Sequence, residues 1–184
     1  MQVIKLPSPN YFSPGEMQDH RIRAVVLHGT AGGLNGSIQW LRNPYSSVSA
    51  NYVISKTGVI YQLVDWQAGN RAWANGIVET SDPTINWLND AIKKGINPNW
   101  ITVSIEHEAT KWEMDNHAKM TDAQFNSSID LTANILKLAG LKANHQTIIG
   151  HNQISGKNKF NCPGVIFPPA YTEVLINRHP DLAG

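Results

Sequence analysis

Two histidines and the only cysteine of the chain are the residues best suited to do chemistry. His28 closes the apolar run Ala24-Val25-Val26-Leu27, His151 follows Ile148-Ile149-Gly150, and Cys162 sits inside Asn161-Cys162-Pro163-Gly164. Two imidazoles and a thiolate are zinc ligands, and three protein ligands leave one tetrahedral position open, which is the arrangement of a hydrolytic rather than a structural site. Copper is the poorer match, because a blue-copper centre usually adds a weak axial methionine and none of Met1, Met17, Met114 and Met120 follows Cys162. Two other roles stay open for Cys162: an inert buried thiol, or a nucleophile paired with His151. Amide hydrolysis also needs a group to take a proton from the attacking water and a donor to hold the oxyanion. Glu106 and a lysine of Gly156-Lys157-Asn158-Lys159 have the right types. His20, His117, His145 and His179 lack such a context and read as surface or packing residues.

These groups must be presented by rigid elements. Arg21 to His28 reads as a buried strand, and Gly29-Thr30-Ala31-Gly32-Gly33 breaks it sharply, so the first histidine sits at a strand end. Ser37 to Arg42 reads as a short helix capped by Ser37. Asn51–Ser55 and Val59–Val64 flank Lys56-Thr57-Gly58 as an antiparallel hairpin, with Gly58 supplying the unusual backbone angle. Thr102 to Glu108 alternates like a half-exposed strand, with Glu106 on the face opposite Ile105. The clearest helix starts at Thr121, with Gln124 completing a capping-box pattern, carries Phe125, Ile129, Thr132, Ala133, Leu136 and Ala139 as its stripe, and stops at Gly140. Thr147 to Gly150 is a short strand, and Pro169 to Arg178 a final helix opened by proline. Between Asp65 and Trp100, glycines, prolines and Trp66, Trp73, Trp87 and Trp100 predict long loops with short helical pieces, of the kind that line a groove.

Composition bounds the function. The 184 residues, 41% hydrophobic and 16% charged, suit one globular domain spanning 1–184, with 1–15 as an extended, proline-spaced arm. A net charge of +1 without a Lys/Arg run argues against a nucleic-acid partner. One cysteine makes no internal disulfide. No apolar stretch is long enough to span a bilayer, and the first eleven residues lack the apolar core of a secretory signal. The expectation is a protein without a membrane partner, made in the cytoplasm and acting as a monomer.

Several blocks together resemble a known family. Val26-Leu27-His28-Gly29-Thr30-Ala31-Gly32, Val48-Ser49-Ala50-Asn51-Tyr52-Val53-Ile54, Lys56-Thr57-Gly58-Val59-Ile60-Tyr61-Gln62, Val103-Ser104-Ile105-Glu106, and Ile149-Gly150-His151 through Cys162-Pro163-Gly164 occur in that order. The set resembles the zinc-dependent N-acetylmuramoyl-L-alanine amidases of type 2, which include phage endolysins and are related to peptidoglycan recognition proteins. The resemblance implies an α/β fold with a central mixed sheet flanked by helices. It also implies Zn2+ held by His28, His151 and Cys162, and cleavage of the bond between the lactyl group of N-acetylmuramic acid and L-alanine of bacterial peptidoglycan. Glu106 matches the family's catalytic glutamate and would take the proton of the attacking water and pass it to the leaving amine. Asn51, Trp73 and Thr30 match substrate-contact positions. Three departures stand out: Phe160 occupies the family's lysine position two residues before the last ligand, leaving Lys159 or Lys157 for the oxyanion; Asn51 stands where a histidine is usual; and Ala74 follows Trp73 where another is frequent. A lytic endolysin is the favoured biology, with wall-fragment recycling or a peptidoglycan-binding module that does not cut as alternatives.

Overall fold

The computed structural model describes residues 2–13, 15, 21–76, 78–79, 81–116, 119–164 and 167–184. In chain order the elements are β1 (Val3–Lys5), β2 (Tyr11–Phe12), β3 (Ala24–Ala31), α1 (Leu34–Arg42), β4 (Tyr52–Ile54), β5 (Ile60–Gln62), β6 (Arg71–Ala72), α2 (Asn86–Lys93), a 3-10 turn at Pro98–Trp100, β7 (Thr102–Thr110), α3 (Lys111–Asp115), α4 (Asp122–Ala139), β8 (Ile148–Gly150), α5 (His151–Ile154), α6 (Tyr171–Arg178) and a last 3-10 turn at Pro180–Leu182. Six strands form one mixed sheet in the order β1-β5-β4-β7-β3-β8, with only the β4–β5 pair antiparallel, as the hairpin pattern predicts. Gly58 takes the expected left-handed angle, φ 82°. The fold is therefore α/β with a central mixed sheet between helices, as the family resemblance implies.

The extended N-terminal arm packs on the domain through two strand pairings. β1 pairs with β5, and β2 pairs with β6 in a separate two-stranded ribbon. His20 and His117, set aside above, fall outside the described residues, as does Pro14 of the arm. His145 is exposed, and His179 lies 3.7 Å from Asp130.

Alternation decides which helix covers which face. Val25, Leu27, Val103, Ile105, Tyr52 and Ile54 point to one side and pack on Ile129 and Leu136 of α4 and Leu175 of α6. Ala24, Val26 and Ile149 point to the other and meet Ile85, Leu88 and Ile154 around α2 and α5. On that same side, Val53 packs on Ile38 and Leu41 of α1. With both faces covered, β7 is buried along most of its length rather than half-exposed, because it lies between β4 and β3 in the middle of the sheet.

Three local expectations are corrected by contacts across the fold. α1 begins at Leu34, three residues before Ser37, and Gly33 offers no side-chain cap; instead Glu108 Oε1, from β7, accepts the Leu34 N–H at 3.3 Å. Thr121 caps α4 as expected, accepting from Gln124 N at 3.1 Å, but the Gln124 side chain does not close the box. It donates to Ile54 O and Glu108 O and ties α4 to the sheet. α6 starts at Tyr171, with Pro169 in the preceding turn. α3 was not anticipated; a capping box formed by Thr110 and Glu113 starts it directly after β7.

Candidate active site

Parallel strands bring their C-terminal ends to one edge, where α/β sheets place their sites. His28 pairs in register with Glu106, and Leu27 with Gly150, so His28, Glu106 and His151 stand side by side at that edge. They lie on the face that also carries Val26 and Ser104, between α1 on one flank and α5 on the other. The chain then folds back: Asn152 N donates to Cys162 O at 2.7 Å and Cys162 N to Lys159 O at 2.9 Å, which seats the cysteine loop over the strand ends. Gly29, immediately after His28, leaves room for this approach. A Cβ there would lie 2.7 Å from Met114 Sδ and 3.1 Å from Pro163 O.

One ligand atom from each of His28, His151 and Cys162 lies within 4.8 Å of the others. Bonds of about 2.0–2.3 Å at tetrahedral angles put such atoms roughly 3.3–3.7 Å apart, so an ion would draw them in by no more than about 1.5 Å. The two imidazole centroids are 4.4 Å apart. His151 Nε2 bonds Asn75 O at 3.0 Å; a carbonyl only accepts, so Nε2 carries the proton and Nδ1 keeps its lone pair. His28 Nδ1 faces Glu106 Oε1 at 3.9 Å. From the other face His107 Nδ1–H donates to His28 O at 2.9 Å, while its Nε2 accepts from Ser128 Oγ at 2.8 Å, so the main chain at the first ligand is anchored to α4. Two nitrogens and a sulfur at this spacing fit a zinc ion.

Burial sets the charge state of every group here. It holds His28 well below the ordinary histidine range, with the charges of His151, His107 and Lys159 adding to the effect, and lowers His151 to about 4. Both rings are therefore neutral at pH 7, the form that ligates. Burial, with the charge of Glu106, pushes the Cys162 thiol up to about 12, although the Gly29 N–H favours the thiolate. A neutral histidine beside a protonated thiol is the reverse of an activated Cys–His pair, so the thiol-nucleophile alternative is disfavoured. Desolvation raises Glu106 to about 7, against the pull of Lys159. Its Oε2 is buried and, among the described residues, has no hydrogen-bond partner. A carboxyl at that value can accept and release a proton near neutral pH.

The site opens into a cleft of about 460 Å³, whose lining includes Thr30, Trp40, Trp73, Lys111, Met114, Asp115 and Phe160. Of the expected residues, Lys159 lines the cleft and acts electrostatically on all three ligands and on Glu106. Lys157 is exposed and does not line it. Trp73 lines the cleft, braced by Phe12 with ring centroids 4.1 Å apart. Thr30 lines it too, but its hydroxyl is committed to Gly32 O and Ala109 N at the β3 bulge. The substrate role expected of Asn51 is corrected: it is 1% exposed, its Oδ1 accepts from Ser104 N at 2.9 Å, and its Nδ2 donates to Val64 O. It joins β4 to β7. Trp40, Lys111 and Asp115 were missed, since an exposed residue of a short helix carries no local mark of facing a cleft.

Two histidines and a cysteine that could hold one metal ion, beside a glutamate at the strand ends of a mixed sheet, make a candidate hydrolytic site. A family model described as N-acetylmuramoyl-L-alanine amidase matches residues 18–165, and the chain belongs to that family. N-acetylmuramoyl-L-alanine amidase A of Achromobacter lyticus is 28% identical over 171 residues, which is 84% of this chain and 82% of that protein. Among solved structures, an AmpD derivative superposes with a TM-score of 0.69 at 21% identity, over 94% of this chain and 93% of that one. AmiD from E. coli, in complex with an anhydro-N-acetylmuramic acid peptide, superposes at 0.64 with 23% identity, over 84% of this chain and 57% of that one. These two likenesses concern the fold.

Proposed function

We propose that this amidase works through a single zinc ion held by His28, His151 and Cys162, and cuts the bond between the lactyl group of N-acetylmuramic acid and L-alanine in bacterial peptidoglycan. The observation that carries this reading is the convergence of three ligand atoms beside a buried carboxylate whose Oε2 has no partner. A zinc ion held by these three residues would supply Lewis acidity for the attacking water and the scissile carbonyl. Glu106 takes the proton of the attacking water at its free oxygen and returns it to the leaving amine of L-alanine. The Lys159 ammonium, which lines the cleft and acts electrostatically on Glu106, holds the carbonyl oxygen as it gains charge. Trp73 and Trp40 offer apolar walls to the sugar and stem peptide.

The biology that goes with this reading is a wall-lytic enzyme of the endolysin kind, acting as a monomer on the wall after release from the cell. Among the described residues no helix is long and apolar enough to cross a membrane. The non-cutting module is disfavoured by the retained Cys162 and by Glu106, which would be an uncompensated buried carboxyl in a pure binding site.

Zinc content and release of new amino termini from purified walls test the proposal. One equivalent of zinc, loss of release on chelation and recovery on zinc addition are expected. Metal-free protein that binds walls and releases nothing would overturn it.

A further inference from the structure

Trp73-Ala74-Asn75-Gly76 crosses the edge of the site, and Asn75 is 1% exposed although no sequence pattern marks it. Its polar atoms are almost fully assigned by their neighbours. The Asn75 N–H donates to Asn99 Oδ1 at 2.8 Å, and Asn99 is itself oriented by donation from its Nδ2 to Asn97 Oδ1. The Asn75 carbonyl takes the Nε2–H of His151. Asn75 Nδ2 lies 2.9 Å from Thr102 Oγ1. The single hydroxyl proton of Thr102 is spent on Pro98 O at 2.8 Å, so Thr102 must accept from Asn75, and the amide is settled with nitrogen at that end. The amide oxygen therefore points the other way.

Asn75 Oδ1 and His28 Nε2 are both buried, and among the described residues neither has a hydrogen-bond partner. A buried polar atom left unpaired is costly, and these two are complementary, one an acceptor and the other able to carry a proton. The Asn75 side chain lies close enough to the His28 ring to interact with it.

We propose that Asn75 is a positioning residue for both histidines. Its main-chain oxygen holds the Nε2–H of His151, its side-chain oxygen holds the Nε2–H of His28, and both Nδ1 lone pairs are thereby aimed into the cleft. One rigidly held residue thus selects the tautomer of both rings before any ion arrives, which lowers the reorganisation needed for ligation. The inference deepens the zinc reading and rests on it for its purpose, whereas the tautomer itself is a property of the metal-free protein.

The test is 15N NMR of the histidine rings in metal-free protein at pH 7.5, together with zinc affinity measured by competition with a chelator. In the unmodified chain both His28 and His151 should carry hydrogen on Nε2. Hydrogen on Nδ1 of His28 would overturn the proposal without any variant being needed. Asn75→Ala should shift His28 toward the Nδ1–H form, leave His151 unchanged because the main-chain carbonyl persists, and weaken zinc about 10–100-fold. Asn75→Asp, which keeps an acceptor facing His28, should retain the Nε2–H tautomer. If Asn75→Ala leaves the His28 tautomer and zinc affinity at their original values, or Asn75→Asp loses the tautomer, the proposal fails. Failure of the unmodified chain to bind zinc would instead refute the metal reading, with the tautomer still deciding the role of Asn75.

Discussion

Glu106→Gln should abolish most turnover and, in the same protein, increase stability at alkaline pH once metal is removed. The replacement is close to isosteric, and Oε2 has no hydrogen bond to lose. Burial moves the carboxyl from its ordinary 4.5 to about 7. Because the folded value is raised, the folded state holds this proton more tightly than the unfolded chain does; its contribution is fully present below pH ~4.5 and is lost as pH rises through 7. At about 1.36 kcal/mol per pH unit the penalty at pH 8.5 approaches about 3 kcal/mol, and the 14% of the side chain that reaches the cleft reduces it toward about 1–2 kcal/mol. Glutamine carries no charge and escapes this penalty. Chelated Glu106→Gln should therefore melt roughly 2–8 °C above chelated parent protein at pH 8.5 and level with it near pH 4, as read by scanning calorimetry. Loss of the general base should cut release of amino termini by about 10²–10⁴-fold at unchanged zinc content, since Glu106 is not among the three converging ligands. A variant that keeps near-parental turnover, or that melts lower at pH 8.5, would refute the reasoning.

Other outcomes follow from the same geometry. Lys159→Ala should lower kcat about 10-fold or more with zinc content intact, whereas Lys157→Ala should leave kcat within twofold; equal losses in steady-state assays would reject the assignment of the oxyanion cation to Lys159. Gly164→Ala places a Cβ 2.7 Å from Met114 O at φ +80°, where an L side chain is strained in any case. It should cost about 2–4 kcal/mol by denaturant melts and loosen zinc binding by displacing the cysteine loop. The Glu113 carboxyl is held below its ordinary value chiefly by its hydrogen bond with Lys56, then by the Thr110 N–H. A depressed value contributes stability above the unfolded pKa and loses it as pH falls through the folded one. Glu113→Gln should accordingly show a shallower loss of Tm between about pH 5 and 3 than the parent chain, and parallel curves would disprove the coupling.

What can be read along the chain is whatever depends on near neighbours. An apolar run ending in a histidine announces a buried strand and a ligand at its end, which is why His28 and His151 stand out; a lone cysteine in a Pro-Gly turn adds the third. The stripe from Phe125 to Ala139, with Thr121 before it and Gly140 after it, specifies α4 because caps and 3.6-residue periodicity are local properties. Other features arise only when distant segments meet. Glu108 caps α1 from 74 residues away and also accepts the Lys56 N–H across 52. Asn51 looks like a cleft residue by position, yet alignment of β4 with β7 consumes its side chain between strands. Lys159 and Lys157 are equivalent by composition and spacing, and only the turn in which Lys159 N bonds Ser155 O separates them. Asn75 carries no local pattern at all. Its role exists because Thr102, Asn99 and two histidines from segments far apart in the chain gather around one residue, and hydrogen-bond partners of a buried polar group are chosen by tertiary packing rather than by sequence neighbours.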